Sequence, residues 1–292
     1  MRSLLFVPGD SEKKLEKGLS SDADVLIVDL EDSVAPERKP LARKIAADFV
    51  QAARGQTRSL IYVRVNELDG GLTDDDLAAV IPAAPNGIML PKCCGAPDAV
   101  RLSAKLRVHE AEAGIADGAT AILPIITETA RSLQAATSFN EPIARLSGVT
   151  WGAEDLSADV GARETRDERG LYTDLFRHAR TMTILAANAV QAAAIDTVFV
   201  DFRDMDALAA ECAEAERDGF TGKMAIHPAQ VPVINDAFTP SGTSIAQAKS
   251  IVQAFADAGN PGVVGVAGKM YDRPHLRRAE RLLARAAAAG LA

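Results

Sequence analysis

Two apolar segments that end in carboxylates could together hold a divalent cation. The segment Gly148–Leu156 reads GVTWGAEDL and carries Glu154 and Asp155 near its end, shortly after the only tryptophan of the chain. The segment Ala121–Ile126 is apolar and is followed by Glu128. Carboxylate oxygens are the ligands that hard cations such as Mg²⁺ prefer. The sequence therefore predicts Glu128 and Asp155 as metal ligands, unless both merely begin helices, where the helix dipole favours acidic residues.

Further polar side chains follow other apolar segments and would complete such a site. Arg64 ends the segment SLIYVR, and its forked guanidinium suits a carboxylate or carbonyl of a substrate. Asp29, Glu31 and Asp32 follow another apolar segment. They cannot all be metal ligands, so some are expected to orient Arg64 or metal-bound waters. The alternative for these acidic residues is a solvated loop.

Short apolar segments alternate with helical patterns along most of the chain. The eight predicted strands are Ser3–Val7, Asp24–Leu30, Ser59–Val65, Gly87–Pro91, Ala119–Ile126, Leu146–Trp151, Thr197–Val200 and Met224–His227. The eight predicted helices are Ser11–Leu19, Pro36–Ala53, Thr73–Ile81, Pro97–Ala113, Thr129–Thr137, Tyr172–Ala194, Met205–Asp218 and Pro228–Asp236. Continuous apolar strands indicate a parallel sheet that is covered on both faces. Eight such units predict a (β/α)8 TIM barrel, with its site at the carboxyl ends of the strands. A doubly wound sheet is less favoured, because no GxGxxG turn is present.

The composition narrows the class of partner. The chain has 292 residues, 48% of them hydrophobic, and a net charge of −8, which argues against nucleic acid or an anionic membrane as a general partner. There is no apolar run of about 18 residues and no signal-peptide pattern. The three cysteines match neither a disulfide framework nor a zinc spacing. We therefore expect a cytoplasmic protein.

The C-terminal part of the chain exceeds what a barrel needs. Residues 1–258 are predicted to form the barrel, and residues 259–292 an extension with a final helix from about Pro274 to Ala289. Appended segments commonly contribute to subunit interfaces, so we expect this extension to reach a neighbouring subunit of an oligomer.

Eight motifs in collinear order carry a family resemblance. They span Leu4 to Glu280 and read LLFVPGD, DVLIVDLEDSVAPERK, YVRVN, GIMLPK, ITET, GVTWGAEDL, AIHPAQ and GKMYDRPHLRRAE. The chain resembles the HpcH/HpaI aldolase and citrate lyase β-subunit family, in its citrate-lyase-β-like branch. The resemblance implies a (β/α)8 barrel that is usually trimeric (a homotrimer or hexamer is expected), uses Mg²⁺, and acts on coenzyme A (CoA) thioesters of 3-hydroxy acids.

The resemblance also implies roles for individual residues. Glu128 and Asp155 match the metal ligands and Arg64 a substrate-binding residue. Asp272, in MYDRP, matches an acidic residue that enters the active site of a neighbouring subunit and would protonate or deprotonate the thioester α-carbon. The alternative is that Asp272 only caps the last helix.

Two further groups of residues are implied in substrate binding. Lys13, Lys14 and Lys17 form a basic cluster on the first predicted helix, where family members that bind CoA place basic residues to meet its phosphates. The alternative is a solvated helix face. Ile226 and His227 match a backbone segment that lines the thioester site, although His227 could be purely structural.

The predicted function is a Mg²⁺-dependent carbon–carbon lyase. It would cleave or form a 3-hydroxyacyl-CoA such as malyl-CoA or citramalyl-CoA, with an acetyl-CoA-type thioester and a small 2-oxo acid as the other reactants. Two alternatives stay open: a citrate-lyase β-type subunit that acts on an acyl-carrier-protein thioester, and an aldolase of free 2-oxo acids. Cys93 and Cys94 depart from the family pattern, which often has an acidic residue after PK, and a cysteine nucleophile is disfavoured because no histidine lies nearby in sequence.

Overall fold

Residues 1–291 of this computed structural model form two compact units. The first comprises Met1–Asn235, and the second begins at Asp236. The sequence predicted a division between residues 258 and 259, and that division stays a prediction. Its claim that the last segment reaches a neighbouring subunit stays a prediction.

The first unit is a (β/α)8 barrel, as predicted. Its eight parallel strands have the order β5-β4-β3-β2-β1-β8-β7-β6. Two parallel bridges, Ile122 to Leu146 and Ile125 to Thr150, join β5 to β6 and nearly close the barrel. The strands are β1 (Ser3–Pro8), β2 (Val25–Asp29), β3 (Leu60–Arg64), β4 (Gly87–Leu90), β5 (Ala121–Pro124), β6 (Gly148–Thr150), β7 (Ala193–Asp196) and β8 (Gly222–Ala225).

Helices surround the strands. They are α1 (Glu12–Leu19), α2 (Lys39–Ala53), α3 (Thr73–Val80), α4 (Ala96–Glu112), α5 (Ala130–Ala135), α6 (Ala153–Val160), α7 (Asp174–Ala189), α8 (Met205–Asp218) and α9 (Gln230–Phe238). The sequence explains, for example, where α8 begins and ends. Asp204 accepts a hydrogen bond from Ala207 N at the start of α8, and Gly219 ends that helix in the left-handed conformation.

Alternate strand residues fill the inside of the barrel. Leu4, Ile27, Met89, Ile195 and Met224 belong to one buried cluster. Each such side chain contributes about 1.5–3 kcal/mol to folding on burial. Because side chains alternate along a strand, the residues between these point outward to the helices. The packed interior leaves the carboxyl ends of the strands as the place for a site.

Two predicted elements near β7 are wrong. The seventh strand was predicted at Thr197–Val200 but lies at Ala193–Asp196, and the helix predicted to reach Ala194 ends at Ala189. Residues 186–194, which cover the end of α7 and the start of β7, are rich in alanine. Alanine is the best helix former, so the local propensity of this segment favours a helix. Pairing with β6 and β8 turns part of it into a strand instead.

The strict alternation of strands and helices also fails after β6. Two helices, α6 and α7, follow that strand, and α6 was not predicted. The helix α6 has only eight residues and ends at Gly161, whose φ of 69° is a left-handed cap.

The second unit has a small core of its own. Helices α10 (Gly242–Asp257) and α11 (Arg273–Ala288) flank a hairpin of β9 (Val263–Val266) and β10 (Lys269–Asp272). The hairpin was not predicted. Its turn is Ala267-Gly268, both at positive φ, which is the backbone that tight two-residue hairpins require. No helix within residues 1–291 is long and apolar enough to cross a membrane.

Candidate active site

A cavity of about 430 Å³ lies at the carboxyl ends of the barrel strands. Residues from several strand ends contribute to its wall, including Phe6, Arg64, Glu128, Asp155, Thr197 and Ile226. The barrel topology explains this convergence, since all parallel strands end at the same rim. The predicted ligands Glu128 and Asp155 and the predicted clamp Arg64 therefore share one cavity.

Asp29 holds Arg64 in place. Nε and Nη2 of Arg64 each donate to one carboxylate oxygen of Asp29, both at 2.7 Å. Asp29 also accepts from the backbone N–H groups of Glu31 and Ser33 at 2.9 and 3.1 Å. Burial alone would raise the pKa of Asp29, but the hydrogen bonds and charge of Arg64 outweigh it and hold the pKa below its usual value. Because Asp29 occupies one edge of the guanidinium, a substrate can meet only its remaining N–H groups.

Glu31 lies between two cations and is still incompletely satisfied. Its Oε2 lies 2.8 Å from Nη1 of Arg64 but accepts no hydrogen bond, while Oε1 accepts one from Nζ of Lys92. Asp32 is more exposed, 3.7 Å from Arg64 and 3.9 Å from Lys92. Burial raises the pKa of Glu31 to about 7, against the opposing charges of Arg64 and Lys92.

Glu128 and Asp155 form a carboxylate pair. Glu128 is fully buried, and its Oε2 accepts a hydrogen bond from the backbone N–H of Lys92. Nζ of Lys92 also lies 3.5 Å from Oδ1 of Asp155. Burial and then the negative charge of Asp155 raise the pKa of Glu128 to about 8. The two carboxylates are thus close enough to repel each other.

This donor set fits Mg²⁺. A bound cation would relieve the repulsion between Glu128 and Asp155, and every donor in the pair is an oxygen. Within residues 1–291 no group of three His, Cys, Asp or Glu side chains could hold a metal ion. Glu128 and Asp155 would hold the ion, and water or substrate would complete its coordination, which is usual for Mg²⁺.

The turn that carries Asp155 packs against Glu128. A Cβ on Gly152 would lie 2.7 Å from Cγ of Glu128, so only glycine permits this approach. Asp155 lies in the first turn of α6, where it also favours the start of the helix. Glu128 has no such role, because Thr129 caps α5 and accepts from Ser132 N at 3.0 Å.

Lys92 is the residue to which the sequence assigned no role. It follows β4 with a φ of 49°, an uncommon conformation for a residue with a side chain. Its backbone contacts Glu128 and its ammonium contacts Glu31. The available signal was its position directly after the fourth predicted strand, next to the strand that is followed by Glu128. The neighbouring Cys93 is buried, and its pKa is raised well above the usual value by that burial, which makes it a poor nucleophile.

The three predicted CoA-binding lysines lie on α1. Lys13, Lys14 and Lys17 are all exposed on this helix, which begins just beyond the carboxyl end of β1. Lys13 and Lys14 are in the part of the helix closer to the rim of the barrel. Their binding to phosphates stays a prediction.

Ile226 and His227 follow β8 at the rim of the cavity. Ile226 contributes to the cavity wall. The backbone N–H groups of both residues donate to Oε1 of Gln230, at 2.9 and 3.2 Å. The ring of His227 stacks on Phe202, with 4.9 Å between the ring centroids. These contacts give His227 a structural role, and its part in substrate binding stays a prediction.

Asp272 caps the last helix in the second unit. Its carboxylate accepts from the backbone N–H of His275 at 3.4 Å and contacts the imidazole of that residue. Its side chain remains 53% exposed. The hydrogen bond from His275 lowers the pKa of Asp272 below its usual value. Capping is therefore one role of Asp272, and a role in a neighbouring subunit's site stays a prediction.

Sequence comparison matches residues 2–228 to the HpcH/HpaI aldolase/citrate lyase family model. The chain is 35% identical to the (3S)-malyl-CoA thioesterase of Cereibacter sphaeroides over 98% of its length and 95% of that protein. It is 32% identical to the mitochondrial citramalyl-CoA lyase of Rattus norvegicus, over 97% of this chain and 85% of that protein.

Structure comparison gives the same relationship. The crystal structure of CitE from Mycobacterium tuberculosis, in complex with magnesium, acetoacetate and coenzyme A, superposes with a TM-score of 0.75. The match covers 98% of both chains at 32% identity.

Proposed function

The chain belongs to the HpcH/HpaI aldolase/citrate lyase family, and we propose that it is a Mg²⁺-dependent lyase of 3-hydroxyacyl-CoA thioesters. The observation that carries this proposal is the pairing of Glu128 and Asp155 in the same cavity as Arg64. An all-oxygen pair suits Mg²⁺, and a guanidinium suits the carboxylate of a 2-oxo acid. The relatives support the thioester, since their names include citramalyl-CoA and malyl-CoA.

The proposed reaction breaks the C2–C3 bond of the thioester. The C3 hydroxyl loses its proton and becomes the carbonyl of the 2-oxo acid, and the electron pair of the broken bond remains on C2 as an enolate of the acyl-CoA. A proton then adds to C2. In the condensing direction each step runs in reverse.

Each proposed role uses a different property of a side chain. Mg²⁺ held by Glu128 and Asp155 would act as a Lewis acid toward the 2-oxo acid oxygens. Arg64 binds the carboxylate of the 2-oxo acid through the N–H groups that Asp29 leaves available. The Asp29 contact holds the guanidinium in one orientation, so less entropy is lost when the substrate binds.

Asp272 of a neighbouring subunit is the proposed acid that protonates C2. The C. sphaeroides relative is named a thioesterase, and hydrolysis would follow here if water reached the thioester. The basic cluster of Lys13, Lys14 and Lys17 is proposed to contact the phosphates of CoA. A homotrimer and a cytoplasmic location are likewise proposals.

Incubation of the purified protein with malyl-CoA and with citramalyl-CoA tests the function. We expect Mg²⁺-dependent release of acetyl-CoA with glyoxylate or pyruvate, and loss of the reaction in EDTA. Release of free CoA instead would indicate a thioesterase outcome. Turnover of acyl-carrier-protein thioesters alone would favour the citrate-lyase β-type alternative, and turnover of free 2-oxo acids alone would favour the aldolase alternative.

A further inference from the structure

Six buried or half-buried side chains form a closed ring of contacts on the outer side of the barrel wall, next to the turn that carries Asp155. Its members, in order of contact, are Trp151, Asp196, Lys223, Glu211, Arg166 and Tyr172. They come from β7, β8, α8, the residue after β6 and the segment that precedes α7. The cavity described above includes none of them in its wall.

The ring is closed by hydrogen bonds on one side. The indole N–H of Trp151 donates to Oδ1 of Asp196 at 2.7 Å, and Nζ of Lys223 donates to Oδ2 at 2.9 Å. Lys223 also donates to Glu211 at 2.7 Å, and Glu211 accepts from Arg166 at 2.5 Å. Trp151, Asp196 and Lys223 are completely buried.

Aromatic contacts close the other side. The guanidinium of Arg166 lies 3.8 Å from the ring centroid of Tyr172. Tyr172 meets Trp151 edge to face, with 5.2 Å between centroids. Both contacts are of kinds that favour one geometry over others, because the faces of the aromatic rings are electron-rich.

The position of the ring follows from strand alternation. Ile195 and Met224 point into the barrel, so Asp196 and Lys223, their neighbours on β7 and β8, point outward to the helices. Buried ion pairs are often no more stabilising than apolar side chains of the same volume. A general contribution to stability is therefore a weak explanation for this network.

The turn after Trp151 is confined from both sides. On the outer side of the barrel wall, Trp151 is hydrogen-bonded to Asp196. The next residue, Gly152, lies against Glu128 on the side of the cavity, without room for a Cβ. Asp155 follows three residues later. Any shift of Trp151 would therefore change the spacing of the two carboxylates.

We propose that the ring is a positioning device, in which the Trp151–Asp196 hydrogen bond sets the place of the Gly152–Asp155 turn relative to Glu128. Trp151 and Asp196 are then positioning residues that do not touch the substrate. The inference rests on the proposed function only in its use of Mg²⁺ as one of two probes.

The test compares Trp151→Phe with wild type. This change keeps an aromatic ring for Tyr172 but removes the indole N–H. Hydrogen–deuterium exchange should become faster in residues 152–158, and Mg²⁺ titrated in the presence of pyruvate should bind at least about tenfold more weakly. Asp196→Asn should have the same two effects. Because this variant retains Trp151, the fluorescence emission of that tryptophan should also shift.

Glu110→Gln is the matched control. Glu110 and Arg145 form another buried ion pair, with two hydrogen bonds of 2.7 Å, and the pair contacts neither the ring nor the cavity. We expect Glu110→Gln to lower the melting temperature without changing exchange in residues 152–158 or Mg²⁺ binding. Unchanged exchange in that segment in a folded Trp151→Phe protein would overturn the inference. If wild type bound no Mg²⁺, the proposed function would fail, and the exchange measurement would still decide on the ring.

Discussion

The carboxylates around the cavity differ because their neighbours differ. Asp29 is buried but accepts four hydrogen bonds, two from the Arg64 guanidinium and two from backbone N–H groups, so it stays ionised. Glu128 is also buried but faces another carboxylate, so burial and that charge together favour its protonated form. A hard cation would reverse this preference for Glu128 and would hardly affect Asp29. The same residue class therefore serves two different purposes within one cavity.

Substitution of either paired carboxylate should abolish turnover. We expect Glu128→Gln and Asp155→Asn each to lower kcat at least about 100-fold, because each removes a proposed carboxylate ligand of Mg²⁺. The assay is malyl-CoA or citramalyl-CoA cleavage over a range of Mg²⁺ concentrations, with circular dichroism to confirm the fold. Glu154→Gln, a change to the exposed neighbour, should retain most activity. Wild-type activity of either ligand variant at low Mg²⁺ would rule out the assigned site.

Glu110 gives a prediction for stability against pH. Burial opposes its charge, but the hydrogen bonds from Arg145 and from backbone N–H groups outweigh this and lower the pKa of Glu110 to about 2. A folded pKa below the unfolded value contributes stability above the unfolded pKa, and this contribution is lost as the pH falls. We expect Glu110→Gln to cost about 2 kcal/mol at pH 7 and much less near pH 2. Thermal melts from pH 7 to pH 2 measure this, and an equal cost at both ends would contradict it.

At the scale of elements, the cavity depends on short segments that follow the strands. The helix α6 has eight residues, and its first turn supplies Asp155. The helix α1 follows β1 and carries three exposed lysines. Both segments begin at the rim of the barrel, where loops and helix ends can vary without disturbing the packed interior.

The lysines of α1 should contribute to the binding of CoA thioesters but not to the binding of the metal. Replacement of Lys13, Lys14 and Lys17 by alanine removes positive charge that faces solvent. We expect KM for the thioester to rise about tenfold at low salt, with a weaker salt dependence than in wild type. Steady-state kinetics at several salt concentrations provide the measurement. An unchanged KM would favour an acyl-carrier-protein thioester or a free 2-oxo acid.

A control with lysines on other helices sharpens that prediction. Lys44 and Lys249 lie on other helices, and their replacement by alanine changes the net charge without affecting α1. The double variant should keep the wild-type KM. If it raised KM as much as the α1 variant, the effect would come from overall charge.

At the scale of the whole molecule, the main question is whether one chain makes a complete site. The first unit contains the carboxylate pair and Arg64, whereas Asp272 belongs to the second unit. The capping contact with His275 gives Asp272 a local role in α11. A catalytic role would require the acid to reach a cavity, and the family resemblance implies the cavity of a neighbouring subunit.

Mixed oligomers test that arrangement. We expect Asp272→Asn and Arg64→Ala each to be inactive alone, since each removes a different part of the site. Subunits of the two variants, dissociated and reassociated together, should recover part of the activity, because some sites would combine an intact Arg64 with an intact Asp272. Native mass spectrometry confirms that hybrids form. Hybrids without activity would place the acid in the same chain or outside the mechanism.

The order of the elements in the sequence was enough to predict the barrel and the meeting of its strand-end residues. Continuous apolar segments indicate parallel strands, and parallel strands in a barrel end at one rim. It follows that residues at strand ends, such as Arg64, Glu128 and Asp155, meet even though they are far apart in the chain. This inference needs only the order of the elements. It needs no knowledge of side-chain contacts.

The contacts that give those residues their properties depend on how the folded chain brings distant segments together. Arg64 pairs with Asp29 across 35 positions, and Trp151 with Asp196 across 45. No periodicity in the sequence encodes such pairs, because they depend on strand register and on which face of a strand turns inward. The position of β7 was missed for the same reason. Alanine favours a helix locally, and only pairing with β6 and β8 makes that segment a strand.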